Sequence, residues 1–100
     1  MEQKVFDYLR SVPRGKVVTY GQIAARFGNA KLARAVGNAL HRNPDGEKYP
    51  CYKVVSAGGA LSERYAFGGK QAQQRRLERD GISVVNGRVD LSRYQWRDEE

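Results

Sequence analysis

The feature that most constrains the fold of this chain is a pair of helix patterns. A short Gly-Asn turn separates them. Thr19 followed by Gln22 fits a capping box, which predicts the start of the first helix. Gly28-Asn29 predicts the turn, and the second helix is predicted from about Ala30 to Arg42. Two helices joined in this way predict a helix-turn-helix, whose second helix can enter a groove of DNA.

The two faces of the predicted second helix differ in chemistry. At about 100° per residue, its apolar residues gather on one side, where they can pack on the first helix. These residues are Leu32, Val36, Ala39 and Leu40. The other side carries almost only hydrogen-bond donors, namely Lys31, Arg34, Asn38, His41 and Arg42. We expect this side to face DNA, and the net charge of +7 agrees, because a basic surface releases counterions from a polyanion.

The rest of the chain predicts further helices and small strands around this unit. In chain order the sequence predicts an amphipathic helix from Val5 to Val12, an extended stretch at Lys16–Val18, a strand entered at Pro50–Val55, a helix over Lys70–Asp80 that Gly81 caps, and a hairpin at Asn86-Gly87. A chain of 100 residues leaves room for one core, so we expect a single domain over residues 1–100. The fold class is therefore predicted as mainly α, a winged-helix-like domain with a helix-turn-helix and a small β-hairpin.

Composition excludes several classes of protein. No apolar run is long enough to span a bilayer, so no membrane partner is expected. One cysteine cannot form an internal disulfide, which makes the reducing cytoplasm the expected compartment. One cysteine and one histidine do not make a metal-ligand set, so neither a metal nor another cofactor is predicted.

The single cysteine, Cys51, follows Pro50 a short distance beyond the predicted second helix. A thiol reacts as its thiolate, and a free thiol has a pKa of about 8.5, so a cation, a helix N-terminus or a base must assist it. Two interpretations are open at this point. Cys51 is either a small buried apolar residue or a nucleophile placed next to bound DNA.

Several ordered motifs carry a resemblance to a known family. They are the runs Val12–Ala24 and Arg34–Ala39, then Asn43-Pro44, Pro50-Cys51, Gly59, Leu61, Gly68-Gly69, Leu77 and Gly81. In order and spacing they resemble the active-site domain of O6-alkylguanine-DNA alkyltransferases. The closing run Val89–Trp96 resembles small members of that family, including the alkyltransferase-like proteins.

The resemblance implies a mechanism on double-stranded DNA that contains O6-alkylguanine. The helix-turn-helix enters the minor groove, the damaged guanine is flipped out, and Cys51 takes the alkyl group irreversibly. Arg34 is implied as the residue that fills the vacated stack, with a phosphate contact as the open alternative. Tyr20 is implied to assist flipping and to donate to the guanine ring, or else simply to pack its ring. We expect the protein to act as a monomer.

The resemblance also assigns roles around the thiol. Asn43 is implied to brace the turn before Cys51, with an ordinary Asn-Pro helix stop as the open alternative. The backbone carbonyls of Cys51 and Val54 are implied to hold the guanine amino group. Tyr65 and Ala66 are implied to lie against the substrate, although Ala66 lacks the hydroxyl that the family often has there.

Three positions depart from the family pattern. Tyr52 stands where a histidine usually follows the cysteine, Lys53 stands for an arginine, and Asp80 stands for a glutamate. The histidine usually relays the thiol proton towards that glutamate, and a phenol with a pKa of about 10 is a poor base at neutral pH. Tyr52 and Asp80 are nevertheless the candidates for the relay, with slow transfer expected.

Three hypotheses for function therefore remain open. The first is a methyltransferase that acts once and repairs O6-alkylguanine. The second is an alkyltransferase-like module that flips the base without repairing it and signals to nucleotide excision repair proteins. The third is a winged-helix regulator in which Cys51 is structural.

Overall fold

The computed structural model describes residues 2–62 and 65–97, and the chain is mainly helical with two small sheets. The helices are α1 (Glu2–Ser11), α2 (Tyr20–Arg26), α3 (Ala33–His41), α4 (Gly69–Arg79) and α5 (Leu91–Tyr94). The strands are β1 (Val18–Thr19), β2 (Val54–Val55), β3 (Val84–Val85) and β4 (Arg88–Val89). Two 3₁₀ turns, Ala30–Leu32 and Cys51–Lys53, complete the order. The predicted fold class is confirmed.

The core lies between α1, the helix-turn-helix and the segment around Cys51. Helix α1 buries one side through Val5, Phe6, Tyr8 and Leu9, as its apolar spacing predicts. The C-terminal segment closes the other end, since Val17 donates to the carbonyl of Tyr94 and Trp96 donates to that of Val17. The core therefore joins the two ends of the described chain.

The helix-turn-helix begins with the predicted capping box. The backbone N–H of Gln22 donates to Thr19 Oγ1 over 3.0 Å, and that of Thr19 donates to Gln22 Oε1 over 3.3 Å. The predicted second helix differs at its start, because Ala30–Leu32 form a 3₁₀ turn before α3. Asn29 explains this tighter turn, since its side chain accepts from Lys31 N–H and its carbonyl accepts from Leu32 N–H.

A parallel strand pair joins the cysteine segment to the helix-turn-helix. Val18 pairs with Val54, and Thr19 pairs with Val55. Sequence reasoning predicted Pro50–Val55 as the entry to a strand, but only β2 is extended, and Cys51–Lys53 form a 3₁₀ turn. Consecutive side chains of such a turn point about 120° apart. Cys51, Tyr52 and Lys53 therefore face three different surroundings.

The predicted cap of α4 and the predicted hairpin are both present. Gly81 has φ +85°, Ile82 N–H donates to the carbonyl of Leu77, and Gly81 N–H donates to that of Glu78, which is a Schellman cap. Asn86 and Gly87 have φ values of 53° and 73° between the antiparallel strands β3 and β4. Both angles are positive, as the predicted type I′ turn requires.

Candidate functional site

A cavity of about 370 Å³ opens between the helix-turn-helix and the cysteine segment. One side, here called the α3 wall, consists of Tyr20, Ala33, Arg34, Gly37, Leu40 and His41. The other side, here called the thiol wall, consists of Cys51, Ser62, Tyr65, Ala66 and Gln73. The structure therefore brings the predicted nucleophile together with five other predicted residues: Tyr20, Arg34, His41, Tyr65 and Ala66.

On the α3 wall, Tyr20 and Arg34 are the residues whose side chains can reach a bound molecule. The ring of Tyr20 lies over Gly37, where a Cβ would be 3.8 Å from it, an ordinary van der Waals contact. Tyr20 is half-buried, whereas Arg34 is exposed. Neither side chain makes a hydrogen bond or ion pair with any part of the chain that the structure describes. Both are therefore available to a bound molecule.

Cys51 is held by the backbone of its own turn. Its N–H donates to the carbonyl of Tyr49 over 2.7 Å, and its carbonyl accepts from the N–H of Val54. The residue is only 6% exposed, yet it lines the cavity. Its sulfur therefore has little contact with solvent and can be reached from the cavity.

The surroundings of Cys51 favour the thiol over the thiolate. Burial raises the pKa of Cys51, while a hydrogen bond with Asn43 and the positive charge of Arg76 lower it by less. The resting side chain is therefore protonated at neutral pH. A reaction at the sulfur requires that this proton be removed.

Asn43 connects the end of α3 to the turn that carries Cys51. This buried side chain donates from Nδ2 to the carbonyl of Tyr49 over 2.7 Å, and its Oδ1 accepts from Asp45 N–H over 3.0 Å. These bonds are what a residue that braces the turn would make. The bond to Asp45 N–H is local to the Asn-Pro stop, whereas the bond to the Tyr49 carbonyl reaches the cysteine segment.

Tyr52 and Asp80, which are 28 positions apart, meet behind the thiol wall. The Tyr52 hydroxyl donates to Asp80 Oδ2 over 2.6 Å, and Arg14 Nε lies 3.4 Å from Asp80 Oδ1. Burial, and then the hydrogen bond with Asp80 and its charge, raise the pKa of Tyr52 far above its ordinary value. Tyr52 is therefore a neutral donor, and its proton already points to the carboxylate.

Gln73 is a site residue that the sequence analysis missed. Its Nε2 donates to the carbonyls of Tyr52 and Val54, both over 2.9 Å, and its Oε1 accepts from Ser62 N–H over 2.9 Å. It is 1% exposed. The available signal was its position four residues before Leu77, which places a polar side chain on the buried face of α4.

Arg76 is the second residue that the sequence analysis missed. Its Cζ lies 4.6 Å from the centre of the Tyr52 ring, and its Nη1 lies 3.0 Å from Glu47 Oε1. No sequence motif indicated this position, because α4 contains several basic residues and the pattern does not distinguish them. The tertiary packing places this one behind the thiol.

The other predicted residues lie outside the cavity lining. Lys31 and Asn38 lie along the helix-turn-helix, the first exposed and the second half-buried. Arg42 is exposed, and its Nε donates to Glu2 Oε2 over 2.9 Å. Val54 is buried behind the thiol wall, and its carbonyl accepts from Gln73.

Lys53, the third departure from the family pattern, points away from the cavity. Its Nζ donates to the carbonyl of Val12 over 2.7 Å in a buried setting. Burial lowers the pKa of Lys53, and the charge of Asp80 partly opposes this effect. The residue therefore ties the end of α1 to the cysteine segment.

The described side chains and helices also bear on metal binding and membrane insertion. Over residues 2–62 and 65–97, no group of three or more His, Cys, Asp or Glu side chains could hold a metal ion. In the same residues, none of the helices combines the length and the apolar character that a bilayer crossing requires.

Comparisons with known proteins agree with this geometry. Residues 1–82 match the family model described as "6-O-methylguanine DNA methyltransferase, DNA binding domain". A DNA base-flipping protein of Vibrio parahaemolyticus is 37% identical over 95 residues, which cover 94% of this chain and 93% of that protein. Alkyltransferase-like protein 1 of Schizosaccharomyces pombe is 35% identical over 100 residues, with 94% and 92% covered.

A longer relative and a solved structure extend the comparison. A bifunctional methyltransferase/endonuclease of Picrophilus torridus is 45% identical over 92 residues, which are 92% of this chain but only 30% of that protein. The crystal structure of S. pombe Atl1 in complex with damaged DNA containing O6-carboxymethylguanine has a TM-score of 0.86. It is 33% identical, and the match covers 96% of this chain and 94% of that one.

Proposed function

Because this chain belongs to the O6-alkylguanine-DNA alkyltransferase family, we propose that it binds DNA containing O6-alkylguanine and accepts the alkyl group on Cys51. The observation that carries the proposal is the open cavity with the only thiol of the chain in its lining. Its volume of about 370 Å³ lies within the range of small-molecule pockets, as an extruded purine requires.

The α3 wall supports the binding step. Arg34 is exposed at the cavity, so it can enter the base stack when guanine leaves it. Extrusion costs a few kcal/mol and is cheapest for a damaged base pair, which favours the lesion over normal guanine. Tyr20 lies on the same wall, where its hydroxyl can donate to the extruded ring.

The transfer step is a single displacement at carbon. The sulfur of Cys51 forms a bond to the alkyl carbon while the bond from that carbon to O6 breaks, and its electrons stay on the purine. The thiol proton leaves the sulfur, and one proton from Tyr20 or water returns to the purine, which becomes guanine. The thioether is stable, so each molecule reacts once.

The residues behind the thiol wall make this transfer slow. Tyr52 can receive the thiol proton through a bridging water only as its own hydroxyl proton passes to Asp80, because the raised pKa of Tyr52 excludes a phenolate at neutral pH. Loss of general-base assistance costs about 10²–10⁴-fold in rate. We therefore expect complete but slow transfer.

Intact-mass measurement tests the proposal. The protein is incubated with a duplex containing O6-methylguanine, and we expect a gain of one methyl group on Cys51. Cys51→Ser is the matched control, expected to bind the duplex without a mass change. Binding of the lesion by the unaltered protein with no methylated Cys51 after prolonged incubation would contradict the proposal.

A second candidate function is recognition of the lesion without transfer. Two observations favour it: burial raises the pKa of Cys51, and the relatives matched over 93% and 92% of their own length are named base-flipping and alkyltransferase-like proteins. Such a protein would mark the base for nucleotide excision repair proteins. It predicts equal lesion affinity for the unaltered protein and Cys51→Ser, with no transfer by either.

A further inference from the structure

Arg76 differs from the other basic residues of α4 in its surroundings. Its side chain is 23% exposed, whereas its neighbours Arg75 and Arg79 are exposed. Its guanidinium lies over the Tyr52 ring at 4.6 Å and pairs with Glu47 at 3.0 Å. A guanidinium above an aromatic face is held there by the ring quadrupole. This arginine therefore has a fixed position within the fold.

The two partners of Arg76 lie on either side of the thiol in the chain. Glu47 belongs to the loop that leads to Cys51, and Tyr52 follows Cys51 in the same 3₁₀ turn. Arg76 thus holds a full positive charge against the segment that carries the sulfur. The Tyr52 ring that it covers is the one whose hydroxyl donates to Asp80.

We propose that Arg76 is a positioning residue, which orients Tyr52 towards Asp80 and supplies the positive charge that favours the thiolate of Cys51. The inference rests on the proposed function only in taking that thiolate as the alkyl acceptor. Tyr52 stands where the family usually has its proton-relaying histidine, and the charge of Arg76 favours the thiolate without acting as a base. In agreement, the charge of Arg76 lowers the pKa of Cys51, Tyr52 and Tyr65, although burial outweighs it at each.

Other titratable and charged groups also surround the thiol. Those on the cavity are Tyr20, Arg34, His41 and Tyr65, and those behind it are Glu47, Tyr52, Lys53 and Asp80. The absolute pH profile of the thiol reaction therefore combines the contributions of several groups. Comparing each variant with the unaltered protein removes the contribution that these groups make to both profiles.

The rate of reaction of Cys51 with iodoacetamide across pH tests the inference. Cys51 is the only cysteine, so the reaction reports one thiolate without any DNA. We expect Arg76→Gln to raise the midpoint of the profile by about one pH unit and to slow the reaction about tenfold at pH 8. Arg75→Gln removes an equal charge from the exposed face and should leave the profile unchanged. Equal profiles for the two variants would overturn the inference.

Glu47→Gln distinguishes an electrostatic effect of Arg76 on the thiol from a purely structural role of the Arg76–Glu47 pair. If charge matters, removing the carboxylate leaves the thiol midpoint unchanged or lowers it. If the Glu47 pair merely fastens two segments, Glu47→Gln should raise the midpoint as Arg76→Gln does, which would overturn the inference. If Arg76→Gln no longer unfolds cooperatively, Glu47→Gln and Arg76→Lys provide the test instead. Arg76→Lys keeps the positive charge, so the midpoint of its iodoacetamide pH profile should stay near that of the unaltered protein.

The same variants distinguish this inference from the proposed function. If iodoacetamide gives the expected profiles but no variant accepts methyl from DNA, Arg76 acts as inferred and the proposed function fails. If the unaltered protein accepts methyl while Arg76→Gln keeps an unchanged iodoacetamide profile, the function stands and the inference fails.

Discussion

The two walls of the cavity differ in how firmly the fold holds their side chains. On the α3 wall, Tyr20 and Arg34 make no hydrogen bond or ion pair within the described chain. On the thiol wall, Gln73 makes three hydrogen bonds, and Cys51 is fixed through its backbone at both ends. One wall is thus available for a ligand, whereas the other is built to hold a sulfur in place.

The walls also differ in how closely they follow the family pattern. Tyr20 and Arg34 lie within motifs that match the family, whereas the residues behind the sulfur, Tyr52 and Asp80, depart from it. In the proposed function, lesion binding depends on the first group and proton removal on the second. Because the two groups lie on different elements, this fold can change its chemistry while it keeps its recognition surface.

Removing Gln73 should produce the largest effect, and on stability. Gln73→Leu leaves the carbonyls of Tyr52 and Val54 without its amide and Ser62 N–H without its acceptor. Each buried group that loses its partner costs about 1–3 kcal/mol, so we expect the free energy of unfolding to fall by about 3 kcal/mol or more. Urea denaturation of Gln73→Leu and the unaltered protein measures this loss of unfolding free energy.

The control for that prediction is Gln71→Leu, which places the same side chain on the exposed face of α4. Its unfolding free energy should change by no more than about 0.5 kcal/mol. If Gln73→Leu costs as little as this control, the thiol wall is not held by Gln73, and the contrast between the walls is lost.

Restoring a base behind the sulfur should speed up the chemistry. In Tyr52→His an imidazole, whose unperturbed pKa is about 6.5, replaces the neutral phenol beside Asp80. We expect the single-turnover rate of methyl transfer to rise at least about tenfold at pH 7.5, part of the 10²–10⁴-fold that general-base catalysis supplies. Rapid quenching and mass measurement give the rate.

Tyr52→Phe is the matched variant for this change. It keeps the ring that Arg76 covers and removes the hydroxyl that donates to Asp80. Transfer should be slower than in the unaltered protein if the hydroxyl passes the proton on. A Tyr52→His rate no faster than that of Tyr52→Phe would show that proton removal does not limit transfer.

Arg34→Ala should weaken binding of the lesion and leave the stability of the fold unchanged. The side chain is exposed at the cavity, so the unfolding free energy should change by less than about 0.5 kcal/mol. Affinity for a duplex with O6-methylguanine should fall about tenfold, and that for an undamaged duplex much less, measured by fluorescence anisotropy. Lys31→Ala is the control, and we expect it to weaken binding of the damaged and the undamaged duplex equally. An equal loss of the two affinities in Arg34→Ala would mean that Arg34 contacts only a phosphate.

The sequence predicted those parts of the molecule that local chemistry determines. The capping box at Thr19, the Schellman cap at Gly81 and the turn at Asn86-Gly87 each depend on residues within a few positions of one another. The meeting of Tyr52 with Asp80 was predicted only through the family resemblance.

The residues that were missed depend on contacts distant in sequence. Gln73 reaches the carbonyl of Tyr52 across 21 positions, and the pair of Arg76 with Glu47 joins α4 to a loop. No periodicity encodes such pairs. The 3₁₀ turn at Cys51–Lys53 was missed for a related reason, since a short apolar run after proline reads as a strand until tertiary packing decides.

The smallest predicted effect concerns the thiol itself and the pH dependence of stability. Burial raises the pKa of Cys51 in the folded state, while the unfolded thiol ionises at about 8.5. Above that pH the folded state binds more protons than the unfolded state, so the unfolding free energy falls as pH rises. This contribution is absent from Cys51→Ser.

Urea denaturation at pH 7 and pH 9.5 measures the effect as a double difference. Between these values the unaltered protein should lose about 1 kcal/mol more than Cys51→Ser. Tyr52 and Lys53 are present in both proteins, so their own titrations cancel in the comparison. Equal losses would mean that the folded thiol ionises as easily as the unfolded one, and the thiol wall would then be as open to water as the α3 wall.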